Sequence, residues 1–327
     1  MPDVSGGSAL DPSGPVTRTT NDFARIDRST DRIVGPADST YPSAVTLYRL
    51  HTTPHLARPT LIAAFDGWID AGSASTTAAG HIGADGDIVA GFDDDVLIDY
   101  RSRRPTLEIV DGRMSQLTWP EIALRHARPG GRDVLVLSGA EPDFRWHEFT
   151  TAILDLVERF EVREWISLGA IPAAVPHTRP VPIIGTASAP GLLKGDVRPG
   201  PDGLLRVPAA ALSVLEMAVA RSGVPSVGYF AQVPHYVSGP YAIAAAELVK
   251  TVGRHLDVDI PAASLIEEGR ALRDRLDAAT NADESTRSYV ERLEAMVDEE
   301  RAPAGDELIA EIERFLRDRG GEGTQRS

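Results

Sequence analysis

Polar and aromatic residues that could bind a small polar ligand follow four short apolar runs of the chain. Each run has the length and composition of a buried strand, so the residues after it would lie at the carboxyl end of that strand. In open α/β sheets, loops at the carboxyl ends of the strands form the usual ligand crevice. We therefore predict a pocket at this edge that contains acids, histidines, arginines and indoles: Asp66, Trp68 and Asp70, then Glu141, Asp143, Arg145 and Trp146, then His177, Thr178 and Arg179, then His235 and Tyr236.

The same residues also have a structural interpretation, and the sequence leaves both open. Asp70 and Asp143 each lie where a helix N-cap is expected, because a carboxylate there accepts a hydrogen bond from an unpaired amide. The arginines could pair with neighbouring acids, and Trp68 and Trp146 could pack at a subunit contact. In that case the four segments would stabilise the fold and an assembly without binding a ligand.

Several specific enzyme patterns are absent from the sequence. Gly67 and Gly72 do not form a GxGxxG phosphate loop, and there is no GxxxxGKS or GxxxxGKT segment. The segment that starts at His147 and Glu148 is not HExxH, and Ser138 does not lie in a nucleophile elbow. The chain has no cysteine, which excludes disulfides, thiolate nucleophiles and cysteine metal sites. These absences weigh against nucleotide, serine-hydrolase and thiol chemistry.

A run of acids and a group of arginines complete the candidate chemistry. Asp93, Asp94 and Asp95 are consecutive, so their carboxylates point in different directions, and the later acid of a calcium loop is missing. We therefore interpret them as a solvated turn and predict neither a metal ion nor a cofactor. Surface or interface ion pairs are expected from Asp99, Arg101, Arg103 and Arg104.

The composition of the chain limits its partners. Its 327 residues carry a formal net charge of −15, and 42% of them are hydrophobic, which is typical of a globular protein. The excess of acids argues against nucleic acid or an anionic membrane as a partner, because both need clustered positive charge. No apolar run approaches the roughly 20 residues that span a bilayer, and the amino terminus lacks a signal-peptide pattern. We expect a cytoplasmic protein.

Strand and helix patterns alternate through the middle of the chain. Three helix patterns lie at 149–160, 209–222 and 241–255. Strands that alternate with crossover helices predict an α/β fold of three layers, in which a largely parallel sheet is covered by helices on both faces. The predicted strands are 45–50, 60–65, 87–91, 96–100, 106–110, 133–137, 165–168, 183–187 and 226–231.

The two ends of the chain differ from the middle. Residues 1–40 are rich in Ser, Gly, Pro, Thr and Asp, which predicts a disordered tail before an α/β core domain at 41–259. Residues 260–319 predict a C-terminal helical segment of three charged amphipathic helices, at 262–278, 285–301 and 306–319. Their apolar stripes favour packing on the core domain or on each other over a partner-binding coiled coil. Residues 320–327 are predicted to be a flexible tail.

The sharpest change of pattern lies at 61–79. An apolar run at 61–65 predicts a buried strand, and the next two residues, Asp66 and Gly67, are typical of a turn. Asp70 is a candidate N-cap for the alanine-rich helix pattern that follows, and its charge suits the positive end of the helix dipole. Because small residues make this helix thin, its backbone should lie close to the sheet or to a neighbouring subunit.

This stretch resembles the glycine-tryptophan-x-aspartate-alanine-glycine signature of the proteasome assembly chaperone family, second subunit type. The signature lies within FDGWIDAGSASTTAA at 65–79. Further similar segments follow in the family's order: FDDDVLIDYRSRRP at 92–105, SGAEPDFRW at 138–146, VPHTRP at 175–180 and VPHY at 233–236. The resemblance covers residues 45–255 and implies a three-layer fold akin to that of the nucleoside phosphorylases.

The resemblance also implies a protein that acts by binding. We expect a non-catalytic, chaperone-like protein that forms a homo-oligomer, with a trimer as the expected state and a proteasome-related or other protein as its partner. The alternative is a small-molecule enzyme, a hydrolase or a phosphorolytic transferase, that uses the pocket at the carboxyl edge of the sheet.

The end of the chain departs from one feature of the family. Archaeal relatives that engage the proteasome resemble one another in a carboxyl tail with a hydrophobic residue and a tyrosine near the end. This chain ends in Gly-Thr-Gln-Arg-Ser, which has no apolar anchor. We therefore expect that any proteasome contact does not run through the extreme carboxyl terminus.

Overall fold

The structure is a computed structural model that describes residues 47–195, 197–201 and 203–301. The predicted tails at 1–40 and 320–327 and the third amphipathic helix at 306–319 lie outside the described residues. The strands are β1 (Tyr48–Leu50), β2 (Thr60–Asp66), β3 (Asp87–Phe92), β4 (Thr106–Val110), β5 (Arg113–Thr118), β6 (Ile122–Ala127), β7 (Val134–Ala140), β8 (Glu164–Ala173), β9 (Ile183–Ala187), β10 (Arg198–Pro199) and β11 (Ser226–Pro234). The α-helices are α1 (Ala74–Ile82), α2 (Asp94–Leu97), α3 (Trp146–Arg159), α4 (Ala211–Arg221), α5 (Ala242–Leu256), α6 (Ala263–Ala282) and α7 (Glu284–Arg301).

A nine-stranded sheet forms the middle layer, in the order β1-β3-β6-β7-β2-β8-β11-β9-β10. The central strands β7, β2, β8 and β11 are mutually parallel. The strands β6, β3 and β1 continue the sheet with antiparallel pairing on one side, and β9 pairs antiparallel to β11 on the other. The strands β4 and β5 form a separate antiparallel hairpin. The predicted parallel sheet is therefore the centre of a mixed sheet.

Helices cover both faces of this sheet, as the three-layer prediction requires. The side chains of α3 and α4 pack with one face of the sheet in one apolar cluster, which contains Phe149, Ile153 and Leu215. The side chains of α1 and α5 pack on the other face in a second cluster, which contains Ala78 and Leu248. The α/β fold class is confirmed, while the likeness to nucleoside phosphorylases stays a prediction.

The strand predicted at 96–100 is wrong. This segment contains the end of the short helix α2 and the turn that follows it, and Leu97 and Ile98 are buried. Periodicity cannot separate a short apolar strand from a short buried helix turn, and here tertiary contacts favour the helix. The carbonyl of Leu97 accepts backbone hydrogen bonds from Asp143 and Phe144, and the Asp94 carboxylate accepts one from Ile122.

The N-cap position of α1 is Ser73 and not Asp70 as predicted, but the Asp70 carboxylate still accepts the capping hydrogen bonds. A 3-10 turn at Ala71–Ser73 precedes α1. Asp70 Oδ1 accepts hydrogen bonds from the backbone N–H groups of Ser75 at 2.8 Å and Thr76 at 3.3 Å, which are the second and third residues of the helix. The carboxylate therefore satisfies the amides that an N-cap normally satisfies.

The thin helix α1 packs closely, as predicted. Ala74, Ala78 and Ala79 are fully buried between the sheet and α5. The chain also approaches α5 closely just before α1, because a Cβ on Gly72 would lie 2.7 Å from Tyr241 Cβ. Gly72 has a φ of +62°, which glycine adopts without strain.

The helices α6 and α7 pack on the core, as the preferred interpretation of their apolar stripes predicts. Leu265, Leu272 and Leu276 of α6 pack with the cluster that contains α5. In α7, Leu293 and Val297 are buried. Within the described residues, no helix is long and apolar enough to cross a membrane.

Candidate functional site

The four polar segments meet at one edge of the sheet because they follow four parallel strands. Asp66 at the end of β2 lies opposite Ala140 at the end of β7, and Pro234 at the end of β11 lies opposite Ala173 at the end of β8. The predicted position at the strand carboxyl ends is therefore correct. Their hydrogen bonds and ion pairs divide the segments into two groups. They form an Arg103 cluster beside β2 and β7 and a His177 cluster beside β8 and β11.

The Arg103 cluster contains Asp66, Glu141 and Asp143 around one guanidinium. Arg103 forms ion pairs with the carboxylates of Asp66 and of Asp143, whose Oδ2 lies 3.7 Å from Arg103 Nε. Asp66 Oδ1 also accepts a 3.2 Å hydrogen bond from the backbone N–H of Glu141. The ion pairs expected for Arg103 are confirmed, and their partners belong to the predicted site.

Glu141 connects this cluster to α4. Its Oε1 accepts a 2.7 Å hydrogen bond from the backbone N–H of Ala211, the first residue of α4, and its Oε2 accepts a 3.4 Å hydrogen bond from the N–H of Trp68. The Glu141 carboxylate therefore caps a helix that is distant in sequence, and its charge suits the positive end of that helix. Gly67 makes room for it, since a Cβ there would lie 2.5 Å from Glu141 Oε2.

The prediction that Asp143 caps a helix is wrong. The helix α3 begins at Trp146 after Arg145, which has a φ of +57°, and no side chain caps its first turn. Asp143 Oδ2 instead accepts a 2.8 Å hydrogen bond from the backbone N–H of Asp99. The competing donor is thus a backbone N–H of the turn that follows α2, in the segment predicted to be a strand.

Three further predicted residues, Trp68, Arg145 and Trp146, lie in the same loops as this cluster. Trp68 is 62% exposed. The Arg145 guanidinium pairs with Glu148, and this hydrogen bond raises the pKa of Arg145. Trp146 is half-buried, and its Nε1–H donates a 2.6 Å hydrogen bond to the carbonyl of Pro142. The two indoles that were predicted together therefore differ: Trp68 is available for a contact, and Trp146 is part of the fold.

The His177 cluster is a chain of hydrogen bonds. His177 is fully buried, and its Nδ1 lies 2.7 Å from the Tyr236 hydroxyl, which also accepts a 2.8 Å hydrogen bond from the His177 backbone N–H. Its Nε2 lies 3.1 Å from Asp277 Oδ1 on α6. Because a carboxylate only accepts, Nε2 carries a proton and donates it to Asp277, so Nδ1 of a neutral ring accepts the Tyr236 proton. Burial raises the pKa of Tyr236, which keeps the hydroxyl protonated.

His235 lies beside this chain and faces α7. Its Nδ1 donates a 3.0 Å hydrogen bond to the carbonyl of Ala173, which leaves Nε2 as the acceptor of the 3.1 Å hydrogen bond from the Tyr289 hydroxyl. The rings of Tyr236 and Tyr289 pack edge-on with centroids 6.2 Å apart. The loops after β8 and β11 are thus joined to α7 through two aromatic residues.

Ion pairs join the Arg179 segment to α7. The Arg179 guanidinium donates to both carboxylate oxygens of Asp298, at 3.0 and 2.7 Å, and to Glu294 Oε1 at 3.2 Å. These contacts raise the pKa of Arg179, with the hydrogen bond to Asp298 as the main cause. The Thr178 hydroxyl donates to the same oxygen of Glu294. The predicted side chains of this loop therefore all bind acids on the C-terminal helices.

The residues that complete both clusters are not predicted from the sequence. Asp277, Tyr289, Glu294 and Asp298 lie on α6 and α7, where an amphipathic pattern marks an exposed polar face but no particular partner. Arg103 was expected only as a member of a surface or interface ion pair, although its segment belongs to the family resemblance. No pattern in the sequence connects these residues to strand ends that precede them by about 40 to 120 positions.

A second histidine network lies at the opposite edge of the sheet. His255 near the end of α5 joins the Tyr229 hydroxyl, 2.6 Å from Nδ1, to Glu164 Oε1, 2.9 Å from Nε2. Burial alone would raise the pKa of Glu164, but the hydrogen bonds from His255 and Thr60 and the charge of Arg163 hold it below its usual value. This network is far from the predicted pocket and fixes the end of α5 to the start of β8.

The arrangement at the carboxyl edge can hold and move a proton between Asp277 and Tyr236 through His177. The acids and cations of both clusters also form ion pairs with one another. In the described part of the chain, no group of three or more histidine, aspartate or glutamate side chains is placed to hold a metal ion.

Comparisons with known proteins agree with this description. The PAC2 family model matches residues 64–280. A protein of unknown function from Corynebacterium glutamicum is 32% identical and superposes with a TM-score of 0.74 over 79% of this chain and 98% of that chain. A Mycobacterium tuberculosis proteasome-assembly chaperone homologue is 33% identical, with a TM-score of 0.63 over 71% of this chain and 99% of that chain.

A third solved structure, a PAC2 family protein from Streptomyces avermitilis, is 34% identical, with a TM-score of 0.63 over 71% of this chain and 99% of that chain. A comparison with curated proteins gives no match. The family match covers well over half of the chain and contains both clusters except for the residues on α7. The chain therefore belongs to the PAC2 family, the proteasome assembly chaperone family that its sequence motifs resemble.

Proposed function

We propose that this protein is a non-catalytic, chaperone-like binding protein of the cytoplasm that forms a homo-oligomer and acts through protein surfaces. The observation that carries the proposal is the apolar face of the hairpin formed by β4 and β5. Every residue of both strands is exposed. Four large apolar side chains share one face of this hairpin, Leu107, Ile109, Met114 and Leu117, with exposed fractions between 42% and 80%.

The register of the hairpin assembles this face. Leu107 pairs with Leu117 and Ile109 with Met114, so the two pairs point to the same side. A bulge between these pairs inserts Ser115 into β5, which moves Met114 to the side of Ile109. Without the bulge, alternation would place Met114 on the opposite face. The local irregularity thus makes a continuous apolar surface.

An exposed apolar hairpin of this kind favours a protein contact. A two-stranded hairpin is marginally stable alone in water, and burying one Leu, Ile or Met side chain stabilises an assembly by about 1.5 to 3 kcal/mol. The hairpin segment at 101–119 contains four arginines and two acids, whereas the whole chain has a net charge of −15. A second copy of this acidic chain is therefore electrostatically suited to bind it. Three copies are the state that the resemblance implies.

The partner beyond the protein itself is proposed from the family. The Mycobacterium tuberculosis relative is a proteasome-assembly chaperone homologue, which supports a proteasome-related or other protein partner for this chain. Trp68 is exposed at the carboxyl edge and is a suitable anchor, because interface energy concentrates in buried aromatic residues.

Sedimentation velocity of the wild-type chain and of hairpin variants tests the proposal. Replacing Leu107 and Ile109 together by threonine keeps the β-propensity but removes half of the apolar face. We expect the oligomer to dissociate at least tenfold more readily. The matched control is Val110→Thr, which alters an exposed residue on the opposite face and should leave the oligomer unchanged. Even weak self-association is detectable at a chain concentration of about 50 μM. A wild-type chain that is monomeric at this concentration would refute the proposed homo-oligomer.

One observation favours the alternative function, a small-molecule enzyme. The chain from Asp277 through His177 to Tyr236 has the geometry of a proton relay at the edge where α/β enzymes bind ligands. Incubation with a metabolite mixture followed by mass spectrometry tests it. The protein is an enzyme if the wild-type chain consumes a substrate that the folded Tyr236→Phe and His177→Gln variants do not consume.

A further inference from the structure

A cavity of about 560 Å³ lies at the side of the sheet where β11, β9 and β10 end the strand order. The loop after β8 and the start of β9 form one wall of this cavity, and β10, β11, α5 and α7 contribute to the other walls. The volume falls within the range of small-molecule sites, which is roughly 300 to 1,000 Å³. Segments that are distant in sequence therefore build a cavity large enough for a small ligand.

The walls of this cavity are mainly apolar. Val181 and Ile183 pack with the apolar cluster that contains α5, and Val297 of α7 is buried. Val197 lies close over β9, since a Cβ on Gly185 would lie 2.9 Å from Val197 Cγ1. The β-branched residues of the walls are Val175, Val181, Ile183, Ile184, Val197 and Val297. Such walls suit the apolar part of a ligand.

Three charged side chains line the cavity: Arg198, Arg254 and Glu247. The Glu247 carboxylate is already paired, because it lies 3.1 Å from Arg254 Nη2 and 3.6 Å from Nζ of Lys250, which is not part of the lining. Arg198 is exposed and forms no ion pair within the described residues. Two cations and one acid leave one net positive charge, in a chain whose formal net charge is −15.

Two acids of α7 lie near the cavity but do not line it. Asp298 follows Val297 in the chain, and its carboxylate accepts hydrogen bonds from the Arg179 guanidinium. Glu294 accepts a further hydrogen bond from the same guanidinium. The lining itself therefore offers Arg198 as a cation for an anionic ligand.

A polar side chain of β11 lies in the same cavity. Gln232 is half-buried, and its side-chain amide has no hydrogen-bond partner within the described residues. Because β9 separates β11 from β10, the backbones of Gln232 and Arg198 are about 10 Å apart across two strand spacings. An amide N–H and a guanidinium both donate hydrogen bonds to a carboxylate. The two side chains can thus bind one anionic group between them.

We propose that this cavity binds a small organic acid, a monocarboxylate with an apolar body. Its carboxylate accepts hydrogen bonds from Arg198 and Gln232, and its body packs against the β-branched side chains of the walls. A single negative charge matches the one net positive charge of the lining, whereas a phosphate dianion would bring excess charge close to Glu247. A sugar would bury hydroxyl groups against apolar walls without partners. This ligand site goes beyond the proposed protein contacts at the hairpin and at Trp68.

Isothermal titration calorimetry of the full chain tests the ligand class. The probes are octanoate and phenylacetate, with octanol as the uncharged match of octanoate and octyl phosphate as the match with more charge. We expect octanoate to bind at least tenfold more tightly than octanol or octyl phosphate. Equal affinities for octanoate and octanol would overturn the carboxylate site. Absence of binding by both acids at up to about 1 mM would overturn the proposal as a whole.

Substitution of the cation tests the position of the carboxylate. Arg198→Gln should weaken octanoate binding at least tenfold and leave octanol binding unchanged, because it removes the charge and keeps the apolar walls. The matched control is Arg221→Gln, at an exposed arginine in the last turn of α4 that forms no ion pair within the described part of the chain. We expect this control to bind octanoate like the wild type. Equal effects of the two substitutions would contradict the assignment.

Filling the cavity and labelling its walls test the position of the apolar body. Val181→Phe should prevent octanoate binding, while Val207→Phe, at an exposed valine outside the lining, should not. Thermal unfolding confirms that both variants are folded. A diazirine analogue of octanoate should label peptides that contain Val181, Ile183 or Val297. Labelling confined to the exposed hairpin of β4 and β5, or unchanged binding by folded Val181→Phe, would overturn the site.

Discussion

His177 Nε2 lies 3.1 Å from Asp277 Oδ1, and this contact joins the loop after β8 to α6. The imidazole is fully buried, whereas the Asp277 side chain is 44% exposed. The loop that carries the VPHTRP motif is therefore fixed by a C-terminal helix and not by the core alone. The position of α6 and the orientation of the buried ring depend on each other.

Replacing Asp277 by alanine should destabilise the fold by about 1 kcal/mol, because the His177 donor loses its partner while water can partly replace it. Asp277→Asn should cost less, since the amide oxygen still accepts the hydrogen bond. Urea unfolding of the variants measures the difference. Asp274→Ala is the matched control, as Asp274 is an exposed acid on the same helix. An identical effect of the two alanine variants would show that the contact contributes nothing.

The second prediction concerns the pH dependence of stability at Asp94. Burial raises the pKa of Asp94 to about 6, helped by Glu121, Asp93 and Asp95, while the hydrogen bond from the Ile122 N–H opposes this shift. The folded chain therefore holds this proton more tightly than the unfolded chain does. Stability is lost as pH rises from about 4 through about 6, and the cost is fully present above that range.

Asp94→Asn should remove this cost and keep the acceptor for the Ile122 N–H. We expect a gain of about 1 kcal/mol at pH 7.5, reduced by solvent screening because Asp94 is only half-buried, and no gain below about pH 4. Denaturant unfolding at both pH values measures it. Asp93→Asn, at the exposed neighbouring acid, should show no such pH-dependent gain. A gain that is equal at both pH values would refute the electrostatic explanation.

Local pattern was sufficient to predict the centre of the fold. The apolar runs at 60–65 and 165–168 are parts of β2 and β8, because strands buried on both faces need continuous apolar side chains. The pattern failed at 96–100, where the run is buried equally well by a helix turn. It also missed β5 and β6, since β5 is fully exposed and β6 contains Arg125 and His126. In these segments pairing with a neighbouring strand decides the structure.

The sequence predicts where the candidate site lies, but it does not predict which residues bind one another there. A strand end fixes where a loop begins, so Asp66 and Glu141 could be placed at one edge from sequence. Which acid pairs with Arg179 depends on how α7 packs, and an amphipathic pattern gives no register for that contact. The division into two clusters follows from the same cause, because α6 and α7 contact the loops after β8 and β11.

The third prediction tests the close packing of α1. Ala78 is fully buried between the sheet and α5, so Ala78→Leu should overpack this contact and destabilise the chain by about 1 to 3 kcal/mol. Gly80 lies two residues further on the exposed side, where an added Cβ meets nothing within 4 Å. Gly80→Ala should therefore stabilise the helix by about 0.5 to 1 kcal/mol. Thermal unfolding compares the two, and effects of the same sign would contradict the assigned faces of α1.

The last prediction separates the two tryptophans of the carboxyl edge and rests on the proposed binding function. Trp68 is exposed in the turn after β2, and within the described residues its indole forms no hydrogen bond or ring contact. Trp146 donates from Nε1 to the Pro142 carbonyl and belongs to the first turn of α3. A contact surface for a partner should therefore use Trp68, and Trp146 should matter for folding.

We expect Trp68→Ala to lower partner recovery in a native pull-down at least fivefold, as loss of a buried aromatic anchor does, with an unchanged melting temperature. Trp146→Ala should instead lower the melting temperature. Removal of residues 320–327 should leave recovery intact, since this segment has no large apolar side chain to fill a pocket on a partner. Quantitative mass spectrometry of the recovered proteins measures all three variants. The prediction is wrong if the chain without residues 320–327 recovers no partner while Trp68→Ala recovers all of them. The partner would then bind the end of the chain and not the carboxyl edge of the sheet.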